Sequence, residues 1–284
     1  MAAAATGVQV GCAIVATRFV IDQTDPVTLG FLRYLIGSCL LILPAWRSAR
    51  GWFKRQDLLP IAGLGVGQFG ILIVLMNYGL QFIPSARAAL IFACVPLLTM
   101  TLASLIGYER MTLLKAAGVL FTIVGVAFAM GEKVLDHAPA KVGWMGEMAV
   151  LASALCAALC SVFYRPYLKK YPTLQVSAFA MFASVGFLGV AAFLEGHFAV
   201  PFRFTVAGWM AVFFIGGSSA IGYYLWLWAL GHSSPTRVTV FLSLSPITSA
   251  VLGALLLAEP ISVLFIIGLA CVILGLWLAH RPGS

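Results

Sequence analysis

The chain has 284 residues, of which 62% are hydrophobic and 9% are charged, and its formal net charge is +8. A soluble domain averages about 25% charged residues, so the composition excludes a soluble fold of this length. The basic residues lie in short loops beside apolar segments, where they orient a membrane protein, and this placement indicates a lipid bilayer and no nucleic acid as the partner.

Ten apolar segments follow one another along the chain, separated by short stretches of turn residues and charged residues. Each segment is long enough to cross a hydrocarbon core of about 30 Å as a helix. The pattern therefore predicts an all-α, polytopic membrane protein of ten transmembrane helices. The segments span residues 3–21, 28–46, 58–80, 85–106, 112–130, 146–164, 174–194, 206–229, 235–257 and 262–279.

The second half of the chain repeats the first, because residues 77–128 recur without a gap at residues 227–278. Each half contains five segments, and an odd number of crossings makes the second half enter the membrane from the opposite side. We therefore predict two inverted five-helix repeats, residues 1–130 and 144–284, joined by a loop at 131–143. Such a pair is typical of carriers that open a central cavity to one side of the membrane and then to the other.

Residues shared by both halves are expected to serve their common scaffold. Six of them match under the repeat: Arg87 and Arg237, Pro96 and Pro246, Glu109 and Glu259. The prolines are expected to kink their helices and are candidate hinges. Each glutamate is expected to cap the helix that follows it, and the arginines are assigned a topological or gating role.

Glycines that match between the halves are assigned to helix packing. Gly118 and Gly125 of the fifth segment correspond to Gly268 and Gly275 of the tenth, seven residues apart in each. Small residues let helices approach closely in lipid, so we expect these glycines to serve packing and not substrate binding.

Lys and Arg residues accumulate at the segment ends that lie on the side of the N-terminus. This bias predicts that both termini are cytoplasmic. The four His and nine acidic residues lie in loops or at segment ends, and they form no pair suited to catalysis at mid-membrane depth. We therefore expect no enzyme activity, no metal and no cofactor, and we favour downhill movement of a solute over proton coupling.

Arg18 and Arg33 lie within or close to apolar segments. A lipid-facing arginine at mid-depth costs several kcal/mol, so each should face protein, water or the interface. Arg18 is a candidate for contacting a substrate carboxylate; the alternative is an ion pair with Asp22, one helical turn further on. For Arg33 we expect a structural pairing.

Candidate substrate-binding residues come from four segments that carry polar and aromatic side chains. Uncharged hydroxyl, amide and aromatic groups would suit a solute that is partly apolar and partly zwitterionic, whereas an aromatic belt at the interface is the alternative for the tryptophans. Together with Arg18, the candidates are Gln68, Asn77, Tyr78, Ser161, Tyr164, Tyr224, Trp228, Ser243 and Ser245. Substrate choice is expected where the halves differ, as at Gln68 against Ser218 and Tyr78 against Trp228.

A paired set of short motifs runs through both halves. In the first half it comprises Asn77-Tyr78-Gly79-Leu80, Pro84-Ser85-Ala86, Pro96-Leu97, Glu109, Gly118 and Gly125. In the second half it comprises Trp228-Ala229-Leu230, Pro246, Glu259-Pro260, Gly268 and Gly275. This set resembles the drug/metabolite transporter superfamily in its ten-helix EamA-type branch.

The resemblance implies two inverted five-helix repeats around a cavity lined by helices 1, 3, 4, 6, 8 and 9. Within the family the chain looks most like bacterial amino-acid exporters of the YddG type. That likeness implies an exporter of neutral aromatic and aliphatic amino acids in the bacterial inner membrane, working by alternating access. We expect it to function as a monomer with amino acids as its small-molecule substrates.

Two alternatives stay open. One is a carrier of a drug or another metabolite with the same fold; a cation carrier would be expected to hold a carboxylate in its cavity. The other is a channel or membrane scaffold without turnover, which would need no second conformation.

Overall fold

A computed structural model describes residues 2–47, 53–108, 112–135, 144–196 and 204–280. All regular structure within these ranges is helical. Glu109 lies outside the described residues.

In the described ranges, seven α-helices belong to the first half of the chain and seven to the second. The first seven are α1 (Ala2–Val20), α2 (Pro26–Arg47), α3 (Arg55–Gly65), α4 (Leu72–Leu80), α5 (Ser85–Phe92), α6 (Val95–Leu105) and α7 (Leu113–Leu135). The others are α8 (Met145–Phe163), α9 (Arg165–Lys170), α10 (Thr173–Leu194), α11 (Val206–His232), α12 (Pro235–Thr239), α13 (Leu244–Leu257) and α14 (Val263–His280). A π-helical turn, Val66–Ile71, joins α3 to α4, and a 3₁₀ turn, Val240–Ser243, joins α12 to α13.

Local capping signals determine where several helices begin. The Asp25 carboxylate accepts a hydrogen bond from the Thr28 N–H at 2.7 Å, and Pro26 occupies the first position of α2, where a proline loses no helical hydrogen bond. The Thr205 hydroxyl likewise accepts from the Gly208 N–H at 3.0 Å at the start of α11. These two helices therefore begin at the residues that their sequences dictate.

The lengths and apolar character of the helices confirm the all-α polytopic membrane fold. Seven helical stretches within the described residues are long and apolar enough to cross a membrane. Three shorter apolar helices lie within the fifth, ninth and tenth segments predicted from the sequence. The positions of the described helices therefore follow the predicted pattern.

The fourth and ninth segments are both broken near their prolines. In the fourth, α5 ends at Phe92 and α6 begins at Val95, so Pro96 is the second residue of a new helix. In the ninth, Pro246 is the third residue of α13. The expectation of prolines inside continuous helices is therefore wrong. Both prolines lie in a first turn, where the missing N–H costs no helical hydrogen bond.

The glycines assigned to packing lie where the backbones of α7 and α14 approach each other, so the structure adds which two helices they bring together. A Cβ atom placed on Gly125 would lie 2.6 Å from the carbonyl oxygen of Gly268, and one on Gly275 would lie 2.6 Å from that of Gly118. Only residues without a side chain allow this distance, so the glycines keep the two helices in direct contact.

Polar contacts join the two halves at both ends of the bundle. At the end where α1 finishes, here called the distal end, the Glu259 carboxylate contacts Arg18 and the start of α5 at Ser85. At the opposite, proximal end, the Asp57 carboxylate of α3 binds the Lys170 ammonium group of α9. The space between these two sets of contacts contains the cavity described next.

Candidate functional site

A cavity lies in the middle of the helix bundle. Its walls come from α1, α2, α4, α5, α8, α11 and the π-helical turn, with a contribution from the 3₁₀ turn before α13. Most of the lining is apolar and includes Ile14, Leu72, Met76, Phe92 and Trp226. These elements belong to the first, third, fourth, sixth, eighth and ninth predicted segments, which the family resemblance implied, together with α2 of the second segment.

The cavity is small in this conformation. Its volume is about 50 Å³, well below the roughly 300–1,000 Å³ of typical small-molecule sites. That volume has room for a few water molecules. A bulky solute could enter only if the surrounding helices moved apart.

The π-helical turn brings Gln68 into the cavity wall. The turn is wide because the Leu72 N–H bonds to the Gly67 carbonyl, five residues back, and the Cys156 thiol donates to the same carbonyl oxygen at 3.2 Å. A Cβ atom on Gly65 would lie 2.3 Å from the Ala180 carbonyl oxygen, so α3 lies directly against α10. Single π-helical turns inside α-helices are frequent at functional sites.

Two polar side-chain atoms in the wall lack a hydrogen-bond partner among the described residues. Gln68 is 5% exposed and its Oε1 atom makes no hydrogen bond within the described part of the chain. The Thr17 hydroxyl of α1, which is also buried, likewise has none there. An unsatisfied buried polar group costs about 1–3 kcal/mol, so both groups are poised to bond to something that enters the cavity.

Arg33 contributes a positive charge to the same wall. Its side chain is 6% exposed, and its Nε donates to the Ser219 hydroxyl at 2.7 Å. None of the described carboxylates forms an ion pair with it. The expected structural pairing is therefore met by a neutral hydroxyl from α11, and no carboxylate in the described ranges pairs with the guanidinium.

Three aromatic rings pack together beside the cavity. The Phe69 ring lies 4.7 Å from that of Tyr223 and 5.3 Å from that of Tyr34, measured between centroids. The two tyrosine hydroxyls are 3.2 Å apart and hydrogen-bonded. Tyr223 lines the cavity, so this cluster fixes one of its aromatic walls.

Among the predicted binding residues, Gln68 lines the cavity and the others do not. Three of the others are buried and bonded to backbone carbonyls. The Asn77 amide donates to Pro26 at 2.9 Å, the Ser161 hydroxyl to Ala157 at 2.7 Å and the Ser245 hydroxyl to Leu242 at 2.7 Å. Their polar groups are therefore engaged within the fold.

The remaining aromatic candidates and Ser243 also lie away from the cavity lining. Tyr164 is fully buried in the core, and the Tyr78 ring packs on Phe82 at 5.0 Å. Trp228 is 41% exposed and stacks on His232 at 4.3 Å, as an interfacial belt residue would. Tyr224 is half-buried on α11.

Arg18 contacts two carboxylates at the distal end. It lies 3.2 Å from Asp22 and 3.9 Å from Glu259, and it does not line the cavity. The ion pair with Asp22 is thus formed, and contact with a substrate carboxylate in this cavity is not open to Arg18.

The other charged scaffold residues form contacts between the halves. The expectation that Glu259 caps α14 is wrong, because its carboxylate accepts the Ser85 N–H of α5 at 3.0 Å. Arg87 lies 3.8 Å from the fully buried carboxylate of Glu147 on α8. Arg237 lies in α12, and its side chain is outside the described part of the structure.

Sequence reasoning placed only Gln68 of this lining among the binding residues, and the polar residues that it missed include Thr17, Arg33 and Tyr223. A signal existed for Arg33, because an arginine inside an apolar segment must face protein or a cavity. No comparable signal separates Tyr223 from Tyr224, its neighbour on α11. Within the described residues, no cluster of three or more His, Cys, Asp or Glu side chains could hold a metal ion.

Comparison with known proteins adds a family match. The model of the EamA-like transporter family matches residues 1–131 and 144–281. An uncharacterized transporter of Archaeoglobus fulgidus is 26% identical over 273 residues, covering 95% of this chain and 94% of that protein. A probable terminal-alkyne amino-acid exporter of Streptantibioticus cattleyicolor is 29% identical over 272 residues, covering 94% of this chain and 88% of that protein.

The fold is also similar to that of a protein of known crystal structure. The two superpose with a TM-score of 0.74 over 99% of this chain and 98% of the other, at 21% sequence identity.

Proposed function

The chain belongs to the EamA-like transporter family, and we propose that it exports neutral aromatic and aliphatic amino acids by alternating access. The observation that carries the proposal is the cavity itself, with apolar walls and a few unsatisfied polar groups at the centre of the bundle. Small-molecule sites have this composition, in which apolar surface gives affinity and a few polar groups fix orientation.

The charge of the lining supports an amino acid over a cationic drug. The described lining contains the Arg33 guanidinium and no carboxylate. A cation in this space would be repelled by Arg33, whereas a neutral amino acid offers its own carboxylate to that charge. The relative from Streptantibioticus cattleyicolor, a probable amino-acid exporter, supports the same substrate class.

Alternating access is supported by polar contacts at both ends of the bundle. The contacts of Glu259 with Ser85 and of Asp57 with Lys170 join helices of different halves at the distal and proximal ends. With a volume of about 50 Å³, the cavity must widen before it can hold an amino acid. Opening one end at a time, by breaking one set of contacts, would admit the solute from one side and release it on the other.

We further propose a bacterial inner-membrane location with both termini in the cytoplasm, which makes the distal end face outward. The bias of Lys and Arg toward the proximal end supports this orientation. A single chain suffices for the cavity, because every wall comes from helices of one chain. Movement in the outward direction rests on the likeness to an exporter.

Saturable flux in liposomes tests the proposal. Purified protein in liposomes should take up labelled phenylalanine and leucine with a rate that saturates, with and without a pH gradient. Protein-free liposomes and liposomes with heat-unfolded protein are the controls. A flux that rises linearly with concentration would indicate a channel, and no flux for any neutral amino acid would contradict the proposed substrate class.

A further inference from the structure

Arg33 leaves part of its hydrogen-bonding capacity unused at the cavity. Its Nε is occupied by the Ser219 hydroxyl, and its guanidinium carbon lies 5.5 Å from the centroid of the Tyr34 ring. The two terminal amino groups of the fork are the ones that can receive a ligand. This pair of parallel N–H groups matches the two oxygens of a carboxylate. Ser219 and Tyr34 thus hold the fork in a fixed orientation for such a ligand.

The unmet acceptor in the same wall needs a donor. Gln68 Oε1 is buried, lines the cavity and has no hydrogen-bond partner within the described residues. The Thr17 hydroxyl of α1, in the same cavity lining, is in the same situation. An ammonium group carries three N–H donors and no acceptor, so it satisfies a carbonyl oxygen and a hydroxyl oxygen together.

We propose that Arg33 binds the carboxylate of the transported solute, while Gln68 Oε1 and the Thr17 hydroxyl accept hydrogen bonds from its ammonium group. The cavity is then a subsite for the α-amino acid zwitterion. Its apolar wall, including Met76 and Phe92, receives the side chain. This assignment rests on the proposed function, which it deepens by naming the groups that recognise the substrate.

The assignment predicts a specific pattern of discrimination. An amine without a carboxylate would bring its positive charge beside Arg33 with nothing to compensate either cation. An acid without an amine would satisfy Arg33 but leave Gln68 Oε1 without a donor. A site built from buried polar groups rejects ligands that leave those groups unpaired. Only the complete zwitterion should therefore bind well.

Three ligands that share a benzyl-type side chain test this pattern on the wild-type protein. Phenylalanine, phenethylamine and 3-phenylpropionate are each offered as competitors of labelled phenylalanine uptake in liposomes. In parallel, the shift in melting temperature that each causes is measured on the purified protein. Phenylalanine should compete most strongly, 3-phenylpropionate weakly and phenethylamine not at all. Equal competition by phenethylamine and phenylalanine would overturn the assignment.

Substitution of Arg33 gives a second test with a readout that a structural role would not change. Arg33→Gln should raise the KM for phenylalanine about tenfold or more, since a charge-assisted hydrogen bond is lost. It should also let phenethylamine compete, because the repelling charge is gone. Arg55→Gln, the same change at an exposed position at the start of α3, is the matched control. It should change neither the KM for phenylalanine nor the failure of phenethylamine to compete.

The outcomes separate this assignment from the proposed function. A folded Arg33→Gln protein with unchanged KM and unchanged discrimination would overturn the assignment while amino-acid transport stands. If Arg33→Gln does not fold, Arg33→Lys keeps the charge and loses the fork, and an unchanged KM in that variant would overturn the assignment in the same way.

If the wild-type protein transports no amino acid, the melting temperatures still show whether Arg33 binds a carboxylate. Stabilisation by 3-phenylpropionate that Arg33→Lys or Arg33→Gln abolishes would preserve the carboxylate subsite and reject the exporter. Stabilisation by none of the three ligands would overturn both.

Discussion

The carboxylate of Glu259 accepts hydrogen bonds from both the backbone N–H and the hydroxyl of Ser85, at 3.0 and 2.5 Å. These residues belong to different halves of the chain. Glu259, two residues after the end of the ninth segment, therefore caps the first turn of the fourth, and this contact joins the two halves at the distal end of the bundle.

Loss of the Glu259 charge should weaken that end measurably. Glu259→Gln is expected to destabilise the protein by about 1–3 kcal/mol, because charge-assisted hydrogen bonds are lost in a partly buried position. Asp22→Asn is the matched control, since both carboxylates contact Arg18 but the Asp22 side chain is 72% exposed and that of Glu259 is 12% exposed. The control should cost at most about 0.5 kcal/mol. Thermal unfolding in detergent measures the destabilisation of both variants, and equal shifts in their melting temperatures would contradict this role of Glu259.

The buried pair of Arg87 and Glu147 should show strong coupling. Removing one partner of a buried ion pair costs about 3–5 kcal/mol, because the remaining buried charge loses an opposite charge beside it. Arg87→Met and Glu147→Leu are therefore each expected to be strongly destabilising, and the double substitution should cost clearly less than the sum of the two. A double-mutant cycle from unfolding midpoints measures the coupling. Additive effects would show that the 3.8 Å contact contributes little.

The segment pattern predicted the helices because hydrophobicity and length are properties of the chain itself. The glycine matches indicated close packing, since only a missing side chain permits such an approach, but not that α7 packs on α14. Pro96 and Pro246 were placed correctly as interruptions of regular helix, but they begin new helices instead of kinking old ones. The position of a proline shows that a regular helix is disturbed there. It does not show whether one helix bends at the proline or a new helix begins beside it.

The site was harder to predict, because several polar residues of one segment can bond to their own backbone. Ser161 and Ser245 do so, and nothing in their sequence context distinguishes them from cavity residues. Gln68, predicted to bind substrate because a long amide in lipid needs a polar environment, does lie in the cavity wall. Whether Tyr223 or Tyr224 faces inward depends on the rotation of α11 about its axis. Because apolar residues surround this helix on all sides, its sequence does not indicate which face points inward.

Packing of α7 on α14 provides a prediction about stability. Gly275→Ala should destabilise the protein by about 1–3 kcal/mol, because its new Cβ would lie 2.5 Å from the Thr122 hydroxyl and 2.6 Å from a backbone carbonyl. Gly186→Ala, inside α10, is the control; its Cβ would meet nothing within 4 Å. That substitution should be neutral or stabilise by about 0.5–1 kcal/mol through a better helix propensity. A Gly275→Ala protein as stable as the wild type would argue against close packing.

Transport should separate the cavity aromatic from the interfacial one. Tyr223→Leu is expected to lower kcat/KM for phenylalanine by about tenfold, since an aromatic contact of roughly 1 kcal/mol and the bond to Tyr34 are lost together. Trp228→Leu should change it less than about twofold, because the ring stacks on His232 outside the cavity. Initial uptake rates in liposomes, with folding checked by melting temperature, measure both. The reverse order would restore the substrate-contact role that the sequence suggested for Trp228.

Counterflow tests the central claim most directly, because only a carrier with two alternately exposed states can perform it. Liposomes containing the protein are loaded with unlabelled phenylalanine and diluted into a trace of labelled phenylalanine. We expect label to accumulate transiently above its external concentration and then decline, and we expect Gln68→Leu to reduce this overshoot. Label that only equilibrates, without an overshoot, would contradict alternating access through this cavity.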